Sequence, residues 1–235
     1  MDMRVSIFFT RGRGIAPSVI RFFQSTLKEK LTGRLFPYNH CGLIFHFSEV
    51  YPLTFPYDEC NLNWMFDKGG YYFESRCTKI KDPKYGRVGK NGVRGPMGIA
   101  KLYEWANAHP KHHLTIIGLP IEDRSYIAAM LRDCFRARET IGYADMGQML
   151  SHALRWWRQG STRTKWHCGE MCARVLCGYK DESWRKLLRV GDALYDWVTP
   201  RVLFDTVGEC WKPPREHLDR VLADTAAPDK TASQP

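Results

Sequence analysis

Tyr38-Asn-His-Cys-Gly-Leu-Ile-Phe-His46 is the stretch on which the fold turns. A polar histidine, His40, stands at the mouth of an apolar run, and residues from Tyr38 to Phe47 read as a buried strand. Alternation along a strand puts His46 on the same face as His40, toward the far end. A second aromatic strand runs from Gly70 to Cys77 and contains Tyr71-Tyr-Phe-Glu-Ser75, with a carboxylate at Glu74. Far downstream, Trp166-His-Cys-Gly-Glu-Met-Cys172 sets Cys168 at the start of an apolar, helix-competent stretch. A cysteine nucleophile acts as its thiolate, and a helix N-terminus beside an imidazole favours that form. A histidine base is oriented by a third polar group, and Glu74 is the candidate for it.

Working outward, residues 4–10 alternate as a strand and end in the glycine-rich turn Thr10-Arg-Gly-Arg-Gly14. That turn lacks the lysine and spacing of a phosphate-binding loop. Ile15 to Leu31 has apolar residues at helical spacing, with Pro17 in the first turn. Lys81 to Gly98 is rich in glycine and basic residues and reads as a loop, placed as a substrate-side flap. Met97 to Ala108 reads as a short helix, Leu114 to Leu119 as a strand, and Glu122 to Ile141 as an amphipathic helix. Further helices are expected over Tyr143 to Trp157 and Cys168 to Cys177, and Pro200 can open a last one. Strands and helices partly segregated along the chain point to an α+β fold, an antiparallel sheet packed against helices. One domain over residues 1–222 and a small, polar, disordered tail over 223–235 account for the 235 residues.

Composition narrows the function classes. Hydrophobic residues at 44% and charged residues at 26% are ordinary for a globular chain, so a core needs no disulfide staples. Neither a secretory signal nor an apolar run of roughly 18 residues is present, which points to the cytoplasm and to free thiols for the eight cysteines. Cys168 and Cys172 lie one helical turn apart rather than in a Cys-x-x-Cys pair, and no structural metal is expected. His109, His112 and His113 read as a polar turn rather than as metal ligands. The net charge of +10 is spread along the chain without a nucleic-acid-binding motif, so no specific nucleic acid is expected. An anionic partner stays open, because positive potential steers polyanions.

Taken together, these motifs resemble the YiiX/YebB-like permuted papain-like amidases and peptidases of the NlpC-type superfamily. That family shows an N-terminal strand, a glycine turn and an apolar helix. A Ser-His-x-Gly-hydrophobic strand follows, then a strand bearing Glu and an aromatic-x-Cys-Ser-Glu helix start. The matching stretches are Asn39-His-Cys-Gly-Leu-Ile44, Phe73-Glu-Ser75, Trp166-His-Cys-Gly-Glu-Met171 and Thr199-Pro-Arg-Val-Leu-Phe204, covering about residues 4–206. Asn39 stands where Ser is common, and Gly169 where Ser usually follows the nucleophile.

The resemblance implies a circularly permuted papain-like fold with Cys168 as nucleophile, His40 as base and Glu74 as orienter. The reaction it implies is amide or peptide hydrolysis through a thioacyl-enzyme, with no cofactor. Peptides, cell-wall peptides and acyl lipids are the substrate classes. An acyltransferase, thioesterase or lipase could use the same triad, and a non-catalytic binding module could retain the groove. The Cys168 backbone N–H is a natural oxyanion donor at its helix start. Tyr38 and His167 are candidates for the second. Cys172 is read as core, His46 as the competing base, and Glu170 as a capping or orienting carboxylate.

Overall fold

The computed structural model describes residues 3–12, 15–47, 70–76, 92–108, 113–143, 164–178, 182–188, 195 and 198–210. Seven strands form one sheet: β1 (Met3–Thr10), β2 (His40–Phe47), β3 (Tyr71–Arg76), β4 (Gly92–Gly98), β5 (Leu114–Gly118), β6 (Gly142–Tyr143) and β7 (Lys165–Trp166). Their order is β5-β1-β2-β3-β4-β6-β7. Every pairing is antiparallel except the short β6–β7 pair, which is parallel. The helices are α1 (Ile15–Gln24), α2 (Leu27–Leu31), α3 (Ile99–Ala108), α4 (Arg124–Thr140), α5 (Cys168–Cys177), α6 (Glu182–Leu187) and α7 (Pro200–Cys210). The fold is α+β.

Both faces of the central strands are covered, which is why β1 is buried almost end to end rather than at alternate positions. On one face Val5, Ile7, Phe9, Leu43, Phe45 and Phe73 pack with Ile127, Met130 and Leu131 of α4 and Met171, Cys172 and Leu176 of α5. On the other, Phe8, Ile44, Tyr72 and Ile116 pack with Ile99, Leu102 and Tyr103 of α3. Asp123 caps α4 by accepting from the Ser125 and Tyr126 N–H groups.

The structure corrects three sequence expectations. The helix expected over Ile15 to Leu31 is two helices. Ser25 Oγ donates to Arg21 O and accepts from Phe36 N, while Thr26 and Glu29 form a capping box that starts α2 afresh. Second, the loop expected over Lys81 to Gly98 contains the inner strand β4 in its last seven residues. Its glycines permit close backbone approach rather than a turn. A Cβ at Gly92 would lie 2.3 Å from Ile141 O, and one at Gly95 2.6 Å from Tyr72 O. A register shift between Tyr72 and Glu74 accompanies them. Third, Tyr143 lies in β6 instead of opening a helix. The remainder of that expected helix, residues 81–91, His109, His112 and the tail over 223–235 lie outside the described residues.

Candidate active site

The site is built where β2 begins. β2 and β3 pair with Gly42 opposite Glu74, so His40 and Glu74 rise from the same sheet face on adjacent strands. Gly42 makes room for this. A Cβ there would lie 2.4 Å from Phe73 O and 2.5 Å from the Phe8 ring, which stands edge-on to the His40 imidazole. His40 Nε2 lies 2.7 Å from Glu74 Oε2, and both residues are buried. On the opposite side, Cys168 is the first residue of α5 and hydrogen-bonds the His40 side chain. The 2.7 Å contact with Glu74 needs a proton on Nε2, and the thiol lies against the same ring.

His167 caps α5, its Nδ1 accepting from the Glu170 N–H at 3.2 Å. It also hydrogen-bonds the Cys168 side chain. Met171 N donates to His167 O, whereas the Cys168 and Gly169 N–H groups have no partner among the described residues. Tyr38 is differently employed: its hydroxyl is hydrogen-bonded to Thr115, on the face that packs against Phe36 and Phe204. His46 bonds Ser6 Oγ at 2.9 Å through Nε2, with Arg4 opposite it in the register. Of the two strand histidines, His40 is the one brought to the thiol.

Two arginines absent from the sequence reading surround the acid. Arg94, opposite Glu74 on β4, contacts Glu74 Oε1 at 2.7 Å through Nη2 and 2.9 Å through Nε. Arg76, on β3, places Nε 3.0 Å from Glu74 Oε2 and 3.2 Å from His40 Nε2. The Nε2 proton is needed for the 2.7 Å contact with Glu74, so the Arg76 Nε–H bonds the carboxylate and merely borders the imidazole. Burial opposes the Glu74 charge, but Arg76, His40 and Arg94 outweigh it and hold the carboxyl far below the usual range. Arg76 was detectable by alternation, two residues beyond Glu74 on the same face. Arg94 was hidden by the loop assignment.

The thiol has its own support. Cys168 is held well below the ordinary cysteine value, chiefly by a hydrogen bond from Cys41, with the charge of His40 and bonds from His167 and His40 overcoming burial. Burial, together with the bonds to Cys168 and Cys172, pushes Cys41 well up, so that it remains a thiol donor. Cys172 Sγ lies 3.9 Å from Cys41 Sγ, one turn into the helix and in the core, as expected. For His40, burial and Arg76 press against the imidazolium, yet Cys168 and Glu74 prevail and raise it above its ordinary value. The arrangement favours a thiolate–imidazolium pair.

Both departures from the pattern of the resembling family have local reasons. Asn39 Oδ1 accepts from Gly12 N at 2.6 Å, pinning the turn after β1 beside His40. At Gly169 a Cβ would meet Val198 O at 1.9 Å, so the backbone just before α7 lies directly against the first turn of α5. Glu170 is buried and paired with Arg174 at 2.9 Å, so it braces α5 along its own surface. Among the described residues no group of three or more His, Cys, Asp or Glu side chains is arranged to hold a metal ion. No helix among them is long and apolar enough to cross a membrane. Comparison with protein-family models, with curated proteins and with solved structures returns no match.

Proposed function

We propose that the protein is a cysteine-dependent acyl hydrolase of permuted papain-like type, cleaving an amide bond with Cys168, His40 and Glu74. The observation that carries this reading is the 2.7 Å His40–Glu74 hydrogen bond, with the Cys168 thiol beside the same imidazole at a helix N-terminus. Such a set supplies a nucleophile, a base and an orienter in the order that acyl transfer uses them.

The Cys168 thiolate attacks the carbonyl carbon, and the carbonyl π pair moves to oxygen, where the Cys168 and Gly169 N–H groups receive it. His167, bonded to the same thiol, is a candidate for a further donor. The tetrahedral intermediate collapses by breaking the C–N bond, and the His40 imidazolium gives its proton to the leaving amine. A water then loses a proton to His40, attacks the thioacyl carbon and releases the acid and the thiolate. Glu74 keeps the imidazole oriented and stabilises its charged form throughout.

The test is selective alkylation. At mildly acidic pH, iodoacetamide should label Cys168 ahead of the other seven cysteines, with peptide mapping identifying the site. Faster labelling at Cys41 or Cys172, or none at Cys168, refutes the assignment.

A further inference from the structure

We infer that Arg76 forms an anion-binding subsite beside the catalytic residues, so that the preferred substrate carries a carboxylate or phosphate a few bonds from its scissile carbonyl. This inference rests on the hydrolase reading and assigns that reaction a substrate class.

Arg76 and Arg94 both pair with Glu74, but they are not equivalent. Arg94 has a side chain 5% exposed and contacts Glu74 through two nitrogens, enough to neutralise a carboxylate whose own side chain is 3% exposed. Arg76 is 28% exposed, touches the site only through Nε, and has no other partner for its guanidinium among the described residues. One carboxylate thus faces two guanidinium groups, and Arg76 is the more exposed of the two.

A second cation is poorly placed if its only task is to neutralise Glu74. It borders His40 Nε2 at 3.2 Å and works against the imidazolium that the leaving group needs. An anion bound to its outer nitrogens removes that penalty when substrate is present. The geometry suits such a ligand. Nε is tethered to the acid, so the guanidinium is held in place, and its remaining edge offers the paired donors that match carboxylate or phosphate oxygens. Arg76 Nε lies 3.2 Å from Nε2 of the imidazole that the Cys168 thiol also meets, so guanidinium and sulfur border the same ring, which suits an anionic group close to the scissile carbonyl. The net charge of +10 adds long-range attraction for the same ligands.

The probes are three haloacetamides with the same reacting carbon: iodoacetyl-glycine, iodoacetyl-aminomethylphosphonate and the neutral iodoacetyl-glycinamide. At low ionic strength the anionic reagents should alkylate Cys168 about threefold to fivefold faster than the neutral one, the scale of one partly exposed ion pair. High salt should close the gap. Arg76→Gln should bring the ratio toward one, and Arg76→Lys should keep part of it. Dividing the rates removes any effect of the substitution on the thiolate itself. A larger gain for the phosphonate assigns a phosphate-bearing substrate, and a larger gain for the glycine reagent a carboxylate-bearing one. Inorganic phosphate should also protect wild-type Cys168 from the anionic reagents more than from the neutral one, a measurement that needs no variant to fold. An unchanged ratio in a folded Arg76→Gln protein, or absence of that protection, overturns the subsite while leaving the hydrolase intact. Failure of all three reagents to select Cys168 overturns the hydrolase reading and this inference with it.

Discussion

Replacing Glu74 by Gln should destabilise the protein through Arg94 more than through His40. The carboxylate side chain is 3% exposed and meets cations at 2.7 Å (His40), 2.7 Å (Arg94) and 3.0 Å (Arg76). Arg76, at 28% exposed, can regain water when the charge is removed, and its share is at most about 1 kcal/mol. His40 can shed its proton. Arg94, at 5% exposed, can do neither, and removing the acid from a buried ion pair costs about 3–5 kcal/mol. Arg94→Met leaves Glu74 with two cations and should cost less, about 1–3 kcal/mol. The double variant Glu74→Gln/Arg94→Met should therefore recover about 2–3 kcal/mol relative to the sum of the two. Urea unfolding of the four proteins measures this directly, provided the denaturant slope stays constant. Additive costs, or a loss under about 1 kcal/mol for Glu74→Gln alone, would refute the claim that Arg94 depends on this acid. Alkylation of Cys168 in the same samples separates chemistry from stability. Folded Glu74→Gln should retain partial activity, because orientation of His40 is lost before the nucleophile is.

The low Glu74 value also sets an acid dependence. Its stabilising contribution is complete above the unfolded carboxyl value of about 4.3 and disappears as pH falls through the folded value. The stability gap between wild type and Glu74→Gln should thus narrow below about pH 4, read from urea midpoints at each pH. Cys41→Ala should move the Cys168 alkylation profile to higher pH, since it removes the leading hydrogen bond to the thiolate, and an unchanged profile would deny Cys41 that role. His40→Ala should shift the same profile upward as well, toward ordinary thiol behaviour, while Cys172→Ala should leave Cys168 the labelled residue. Gly169→Ser restores the residue usual in the resembling family, yet its Cβ would meet Val198 O at 1.9 Å. Calorimetry should show a loss of about 1–3 kcal/mol or more, and a neutral result would contradict the backbone packing there.

What the sequence revealed, and what it hid, follows from the range of each physical signal. Cys168 to Cys177 was legible as a helix because an apolar periodic run and its first residue are local properties. His40 and Glu74 were legible because each sits in a strongly apolar strand where a polar group stands out. The break at Ser25 and Thr26 was missed because helical periodicity continues through it while two hydroxyls compete for the backbone. β4 was missed because glycine usually signals a turn, whereas Gly92 and Gly95 serve approaches to Ile141 and Tyr72 that only the assembled sheet creates. That error concealed Arg94. The bond from Cys41 to Cys168 was equally out of reach, since it joins residues 127 positions apart through tertiary packing.

The contact between Gly169 and Val198 has a consequence for how reactivity can be read. The thiol's environment is assembled from β2, β3, α5 and the segment before α7, so no short fragment of the chain can reproduce it. An unfolded chain gives Cys168 an ordinary thiol value, while Cys41 and Cys134, pushed up by burial, relax down toward the same value. At mildly acidic pH, unfolding should therefore make the most reactive cysteine slower and the most inert ones faster. The crossing of those two rates marks loss of the native state from within the molecule, with no added chromophore.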